Sequence, residues 1–379
     1  MRARVGARRA SARIVLGSIL AGVFAASRAS RGQEAPAEPA AFQPHFTLQW
    51  DFLARYDNIS HLVFIPNISR GRFELRPEVG YEFSDRFRIA ARGIADYGTD
   101  SNSQNARNFD NYRSRGVSLE RYYIEAKPGG FMILAGAFGM PILASEMLWD
   151  HDIQTPGAFV NYQSQPAAGG STLSFSAAGF YGPQSQHDHS RIGVGQVLWK
   201  WGEPDRLGLE AAAAYWHFEP DDLKLFFADG RPDLIRQNYI GQDRGYLSRY
   251  RIVDAIVRIR FPIGSVPVLV SFDGLRNLGT RGDAATDDSA FEGNLTLGRL
   301  GTPGEWRFFY TFQYVERDAV IGAYNTDDWW FHSWYRGHRI GIAATLARDV
   351  FLQVSTIFQQ RLDRKSHLNR VLVDLVKVF

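Results

Sequence analysis

Residues 72–83 read RFELRPEVGYEF. Phe73, Leu75, Pro77, Val79, Tyr81 and Phe83 fall on one side of an extended chain. Arg72, Glu74, Arg76, Glu78 and Glu82 fall on the other. A period of two marks a strand whose two faces meet different surroundings. Ser84 and Asp85 turn the chain, and residues 86–97, RFRIAARGIADY, repeat the pattern. Phe87, Ile89, Ala91, Gly93, Ala95 and Tyr97 oppose Arg86, Arg88, Arg92 and Asp96. The alternation returns late in the chain. Val253, Ala255, Val257, Ile259 and Phe261 oppose Asp254, Arg258 and Arg260, and Trp306, Phe308, Tyr310, Phe312 and Tyr314 oppose Arg307, Thr311 and Gln313.

A soluble β-sandwich also alternates. Three features favour a membrane barrel instead. The segments are long enough to cross a bilayer at a tilt. Their polar faces carry whole ladders of charge rather than scattered Ser and Thr. Connections alternate between short ones, at 84–85, 127–130, 202–206, 301–305 and 348–349, and long ones, at 98–115, 140–155, 219–245 and 319–336. Short periplasmic turns and long outer loops give this rhythm. After residue 30 no stretch approaches the roughly 20 uncharged apolar residues of a membrane helix. A sheet survives in lipid only when closed, because each unpaired backbone group there costs several kcal/mol. The expected fold is all-β: a transmembrane antiparallel barrel of about 16 strands, with 14 to 18 compatible with the pattern.

The ends agree with this reading. Residues 1–13 carry five arginines and no acid, and an apolar segment from Ile14 to Ser27 follows. Residues 1–29 are read as a secretory signal peptide, 30–44 as a flexible periplasmic lead-in and 45–379 as the barrel. Removing the first 29 residues removes six arginines, so the formal charge falls from +3 to −3. The basic balance therefore belongs to the leader and implies no nucleic-acid partner. There is no Cys, which excludes disulfides and thiolate metal sites. The last strand, NRVLVDLVKVF, must close on the first. It points Val371, Val373 and Leu375 toward lipid and Asp374 toward the lumen, and it places Lys377 on the lipid side near enough to the rim to snorkel. Phe379 is expected to serve as the signal read by the barrel-assembly machinery.

Residues 305–344, EWRFFYTFQYVERDAVIGAYNTDDWWFHSWYRGHRIGIAA, resemble the C-terminal part of the bacterial putative-porin family of outer-membrane proteins. The resemblance is carried by Tyr314, Glu316, Asp318, Ala319 and Val320, then Asp327, Asp328 and Trp329, then Gly337, His338 and Gly341. SLERYYIEAKPGGFMILAGAFGMP, at 118–141, resembles the paired early strands of the family. Where members often carry Gly-Gly before the Gly-His pair, this chain has WFHSWYR. The resemblance implies a pore in the outer membrane and no particular solute.

The expected function is passive diffusion of small hydrophilic solutes or ions, without a cofactor. The candidate pore lining is Arg72, Glu74, Arg76, Glu78, Arg88, Arg92, Asp254, Arg258, Arg260, Arg307 and Asp374. An arginine-bearing wall would favour anions. In the plainer reading the arginines and glutamates pair across strands and stiffen the wall. Residues 140–157, with Glu146, Asp150 and Asp152, could fold inward as a constriction. Alternatively they pack on the rim, or meet a second subunit through Met147, Leu148 and Trp149. The longer loop 219–245 is a second candidate cover for the mouth.

Expected partners are the lipid bilayer, lipopolysaccharide, the assembly machinery, small solutes and two further copies in a homotrimer. Ala91, Gly93, Ala95, Ala211 and Ala213 make a flat outer wall that suits subunit contact or simply thins the lipid face, which leaves trimer and monomer both open. The rival functions are a closed structural or adhesive barrel and an outer-membrane lipid hydrolase. The hydrolase needs a Ser–His pair with a third orienting group, and His217 and His338 are its candidates. HDH at 187–189 and RGD at 281–283 carry little weight as metal or adhesion motifs.

Overall fold

The computed structural model describes residues 42–61, 67–98, 116–167, 170–181, 190–203, 206–219, 237–242, 245–365 and 367–378. The proposed leader, most of the lead-in, Phe379, the HDH triplet, nearly all of loop 98–115 and, in loop 219–245, residues 220–236 and 243–244 lie outside these residues.

Sixteen strands form one closed barrel in which each pairs with its sequence neighbours. They are β1 His45–Ser60, β2 Ile68–Ser84, β3 Phe87–Gly98, β4 Gly116–Ala126, β5 Phe131–Gly139, β6 Gln154–Gln163, β7 Thr172–Tyr181 and β8 Arg191–Gly202. The second half comprises β9 Gly208–Glu219, β10 Tyr250–Ile263, β11 Val266–Asn277, β12 Ser289–Gly298, β13 Trp306–Val315, β14 Tyr335–Ala347, β15 Val350–Arg361 and β16 His367–Lys377. All the pairings are antiparallel, and β1 pairs with β16 from Phe52↔Lys377 to Ser60↔Asn369. The segments read at 72–83 and 86–97 fall on β2 and β3, and β6 starts at Gln154, inside the expected connection 140–155.

The burial pattern inverts that of a soluble protein. Phe46 and Leu48 are more than 70% exposed, while Glu74, Asp374 and Arg339 are at most 2% exposed. Apolar side chains cover the outside and charged ones point into the barrel. That outer face suits hydrocarbon, and closure leaves no sheet edge to be satisfied there. No helix among the described residues is long and apolar enough to cross a membrane.

Aromatic rings gather at the short-turn rim. Phe46 packs on Tyr81 at 4.6 Å, Tyr81 on Phe83 at 4.6 Å, and Phe131 on Tyr162 at 5.0 Å. Lys377 Nζ lies 3.9 Å from the centre of the Trp50 ring, so this outward lysine ends in a cation–π contact at the same rim. Amphipathic rings and stems belong at such an interface.

The outer face of β14 gives a direct check. Ile342 is 55% exposed at mid-strand. Ile342→Arg is expected to cost about 2–4 kcal/mol of folding stability in lipid vesicles. Urea titration measures it, and Ile342→Val should change little.

Candidate functional site: a lumen crossed by two loops

Two connections at the long-loop end turn inward. Residues 140–153 join β5 to β6, and residues 316–334 join β13 to β14. Met147, Leu148, Trp149, Val320, Ile321 and Trp329 are at most 1% exposed. The loops meet backbone to backbone. Asp150 N donates to Tyr324 O at 2.7 Å, and Thr326 N donates to Glu146 O at 3.1 Å. Residues 140–153 therefore fold into the lumen, and Met147, Leu148 and Trp149 pack inside it rather than on the rim or against another subunit.

Strands on opposite sides of the barrel hold the pair. On the β8–β9 side, Gln196 Nε2 donates to Leu143 O at 2.7 Å and Gln196 Oε1 accepts from Leu143 N at 3.1 Å. Trp149 stacks between Trp216 of β9 and Tyr324, at 6.0 and 5.5 Å. On the other side the contacts are ionic. Arg339 of β14 donates to Glu146 at 2.9 Å and to Asp328 at 3.5 Å. Arg55 of β1 donates to Asp328 at 3.0 Å and, through two nitrogens, to Asp374 of β16 at 2.7 and 3.1 Å. Arg370 of β16 grips Asp57 of β1 at 2.9 and 2.8 Å, and its third nitrogen donates to the Asp327 and Asp328 carbonyls at 2.6 and 2.7 Å. Two-nitrogen guanidinium–carboxylate pairs fix geometry as well as charge.

The strands meet the loops with apolar side chains. Phe138, Phe180, Ile192, Trp216, Phe218, Tyr250, Ile252, Val315, Tyr335, Ile357 and Leu372 belong to the same cluster as the loop residues. Nearly all sit toward the long-loop ends of their strands. The outer half of the lumen is thus a packed core. Burying each large side chain there is worth about 1.5–3 kcal/mol.

The residues of the family resemblance have physical jobs in this docking. A Cβ on Gly337 would lie 2.6 Å from the Trp329 ring and 2.8 Å from Phe358 O, so a glycine lets the loop tryptophan lie against β14. Gly341 likewise clears the Phe309 ring. Asp318 accepts from Ser248 Oγ at 2.5 Å and from Tyr239 N at 2.8 Å, which ties 316–334 to the segment before β10. Burial still raises its carboxyl above the usual range. His338 faces outward, with Nδ1 2.8 Å from the Tyr310 hydroxyl.

The candidate lining residues all lie on inward faces. Glu74 takes Arg72 at 2.7 Å and Arg76 at 2.6 Å. Glu78 takes Arg88 at 3.0 Å and also Arg121. Arg92 pairs with Glu120 at 2.7 Å and with Asp51 at 3.5 Å. Arg76 reaches Asp152 of the first loop at 3.5 Å. Across the lumen, Glu210 holds Arg260 at 2.9 Å and Arg258 at 3.8 Å. Arg307 donates to Gln353 at 2.9 Å. Asp254 lies apart from these pairs, beside Asp273 on the next strand. Asp150 serves inside the loops, with Oδ1 accepting from Asp152 N at 2.9 Å and Oδ2 from Asp327 N at 3.3 Å.

The sequence reading missed Arg55, Asp57, Arg339 and Arg370, and the acids Glu120, Asp273 and Glu292. Arg55 and Asp57 share the inward face of β1 with Gln49 and Asp51, a ladder interrupted only by Leu53, whereas Arg370 stands between Leu368 and Leu372 on β16. Arg339 was inside the quoted family stretch, but nothing in the spacing tied it to Glu146.

Enzyme-like groupings are weak. His217 Nε2 lies 3.2 Å from Glu219. At the outer rim Ser60 Oγ is 3.2 Å from His61 Nδ1, but Asn369 approaches the same ring nitrogen. The orienting group of a hydrolytic triad must sit on the opposite nitrogen. The RGD triplet enters a short 3₁₀ turn, Gly282–Ala284. No cluster able to hold a metal ion occurs among the described residues.

The family described as "Putative porin" matches residues 254–378. No curated protein matches the chain. Among solved structures, OprB of Pseudomonas putida at high pH aligns with a TM-score of 0.59 and 10% identity, over 88% of this chain and 94% of that one. Salmonella typhi OmpF, in complex with daunomycin, aligns at 0.51 and 12% identity, over 88% and 97%. OpdK of Pseudomonas aeruginosa aligns at 0.50 and 9% identity, over 88% and 98%.

Removing a guanidinium from the ionic side of the lock leaves buried acids uncompensated. Arg55→Gln is expected to cost about 3–5 kcal/mol, read as the urea midpoint of the barrel folded in detergent micelles. Arg76→Gln should cost clearly less, because its partners Glu74 and Glu120 retain Arg72 and Arg92. By its topology, its outer face and its C-terminal third, the chain is an outer-membrane β-barrel of the sixteen-stranded porin fold.

Proposed function

We propose that the chain is a passive pore for small hydrophilic solutes and ions, narrowed at its outer half by the two inward loops. The observation that carries this is the division of the lumen. Below the docked loops the inward faces carry Arg88, Arg121, Arg258, Ser271, Asn294, Thr311, Arg307 and Gln353, groups suited to water and small polar solutes. Rings of such groups bias which solutes enter. An anion preference would need guanidinium groups free to meet a solute. Arg72, Arg76, Arg88 and Arg92 all share carboxylates, so the paired-wall reading has the better support.

A closed barrel is the second reading, and the apolar packing of the outer half favours it. Reconstitution into planar bilayers separates the two. The pore reading expects discrete, small conductance steps from the folded protein, and larger steps once residues 143–150 are replaced by a short Gly-Ser linker. Silence from the native barrel with steps from the loop variant would establish the closed reading. Silence from both folded proteins would overturn the pore.

We include in this reading lipopolysaccharide at the outer rim, the assembly machinery acting on the terminal strand, and a homotrimer. Small residues support the trimer. A depression of about 830 Å³ on the β7–β11 wall is floored by Gly195, Ala213, Ala255 and Gly274 and edged by Phe175 and Tyr215. Light scattering in detergent should give a trimer mass that Ala213→Trp reduces to monomer; a monomeric native protein would contradict this.

A further inference from the structure

The inward cations of the lumen are not equally spent. On the β2–β4 wall Arg72, Arg76, Arg88, Arg92 and Arg121 show only 10–19% of their side chains and lie folded onto Glu74, Glu78 and Glu120. Lys127 shows 37% but is closed on Glu125 at 2.7 Å, one cation to one acid. The β8–β10 wall is built the other way. Its acid, Glu210, shows 8% of its side chain, while Lys200 and Arg260 show 42% and 38%. A solute passing this wall meets the cations and not the acid.

Register brings these groups together. Lys200 of β8 stands directly opposite Glu210 of β9, and Glu210 stands directly opposite Arg258 of β10. Arg260 follows on the same face of β10. Three cations therefore converge on one carboxylate. Arg260 reaches Glu210 Oε1 at 2.9 Å, Lys200 reaches the same oxygen at 3.7 Å, and Arg258 reaches Oε2 at 3.8 Å. Arg258 also bears on Asp273, so its charge is answered from higher on the wall. Lys200 and Arg260 have no acidic partner but Glu210 among the described residues. At 3.7 Å the ammonium of Lys200 is outside hydrogen-bond reach of that oxygen, so its donors are unspent.

One carboxylate cannot answer two cations, and like charges held side by side repel. A purely structural grouping needs a single cation on Glu210, and Arg260 already supplies it. The second cation and the exposure of both are left over. Their surroundings sharpen the field. Leu198 shares the inward face of β8 with Lys200, and Leu269 of β11 stands opposite Arg260. Low-dielectric neighbours focus the field of a charged patch. Thr172 of β7 stands opposite Lys200 and adds a hydroxyl. The place is the inner mouth, because the β8–β9 and β10–β11 connections beside it are short.

We propose that Lys200 and Arg260 form an oxyanion-binding site at the inner mouth, for the carboxylate or phosphate group of a small solute. Arg260 offers a planar edge that matches two oxygens of such a group, and Lys200 adds a compact charge beside it. Glu210 holds the pair from behind and competes with the guest. The site supplies, on a different wall, what the paired arginines of β2 and β3 lack: a guanidinium within reach of a solute. Its effect on permeation rests on the pore reading, whereas binding itself does not.

The test has two arms, so that failure of the site and failure of the pore are told apart. The first reads binding without conduction, as NMR line widths of two probes mixed with the detergent-folded barrel: trifluoroacetate by fluorine and methylphosphonate by phosphorus. The native barrel should broaden at least one probe, and excess acetate or inorganic phosphate should reverse it. The probe broadened more identifies the oxyanion. K200Q/R260Q should lose most of the broadening. Glu210→Gln should increase it several-fold, because the competing carboxylate is gone. That increase is what a merely structural grouping would not produce. The second arm is reversal potential under a potassium chloride gradient. K200Q/R260Q should shift it toward potassium, and Glu210→Gln should shift it toward chloride.

No reversible broadening by the native barrel, or undiminished broadening by K200Q/R260Q, overturns the site. So does broadening that Glu210→Gln leaves unchanged or weakens. Where a variant does not fold, Lys200→Gln replaces it, and undiminished broadening there overturns the site. Broadening without conductance keeps the site and removes the pore. Conductance whose reversal potential neither variant shifts overturns the site's part in permeation.

Discussion

The barrel closes at one seam, and the seam is where its lumen is filled. β1 and β16 must pair because an open edge in lipid would strand a row of backbone donors and acceptors. At that seam Arg55 faces Asp374 in register and Arg370 grips Asp57 diagonally. Each arginine spends two nitrogens on the opposite strand and its remaining one on residues 327–328 of the inward loop. The same two guanidinium groups therefore staple the sheet and seat the loop. Neither act can be undone alone without leaving a buried charge unmatched, which is why closure and docking behave as one unit.

From this lock the rest of the interior follows. Residues 316–334, once seated, offer Tyr324 and Glu146-facing backbone to residues 140–153, and those residues carry the contact on to Trp216 and Gln196 across the barrel. The loops bring apolar side chains into a space that lumen-facing tryptophan, phenylalanine and isoleucine have lined to receive them. Water is displaced from the outer half and remains welcome in the inner half. Passage is then governed by whatever polar path skirts the docked loops. The side bearing Arg76 and Arg92 is internally neutralised.

Much of the fold was legible because the two faces of each strand meet different media. In β2 the apolar residues Phe73 to Phe83 and the charged residues Arg72 to Glu82 separate cleanly, and that separation fixes strand, register and side together. The interior was legible only in its inner half. The run AAAAYWHF at 211–218 is apolar on both faces, as expected of a strand buried on both sides. Trp216 and Phe218 face inward and pack against the docked loops, so no polar ladder marks the lumen side there. The inward turn of 140–153 was one of several readings. The partner loop 316–334 was recognised by resemblance and not by its inward path. Long-range partners such as Arg339 with Glu146, far apart in sequence, leave no local pattern. Asp273 and Glu292 were missed for a related reason: with Asp254 they stand singly on three strands and become neighbours only in register.

The central claim is that residues 140–153 lie docked across the lumen, held there by Arg339 of β14 and by the loop seated on the seam. The chain has no cysteine, so a single introduced thiol reports without background. Ala144 is 1% exposed and small enough to replace. The most direct measurement is the rate at which Ala144→Cys, folded in lipid vesicles, reacts with a bulky hydrophilic maleimide. The account predicts a thiol protected in this protein and opened many-fold by adding Arg339→Gln, with the barrel still resistant to protease. Rapid labelling of Ala144→Cys with the arginine in place would show that the loop does not stay in the lumen, and would contradict the account.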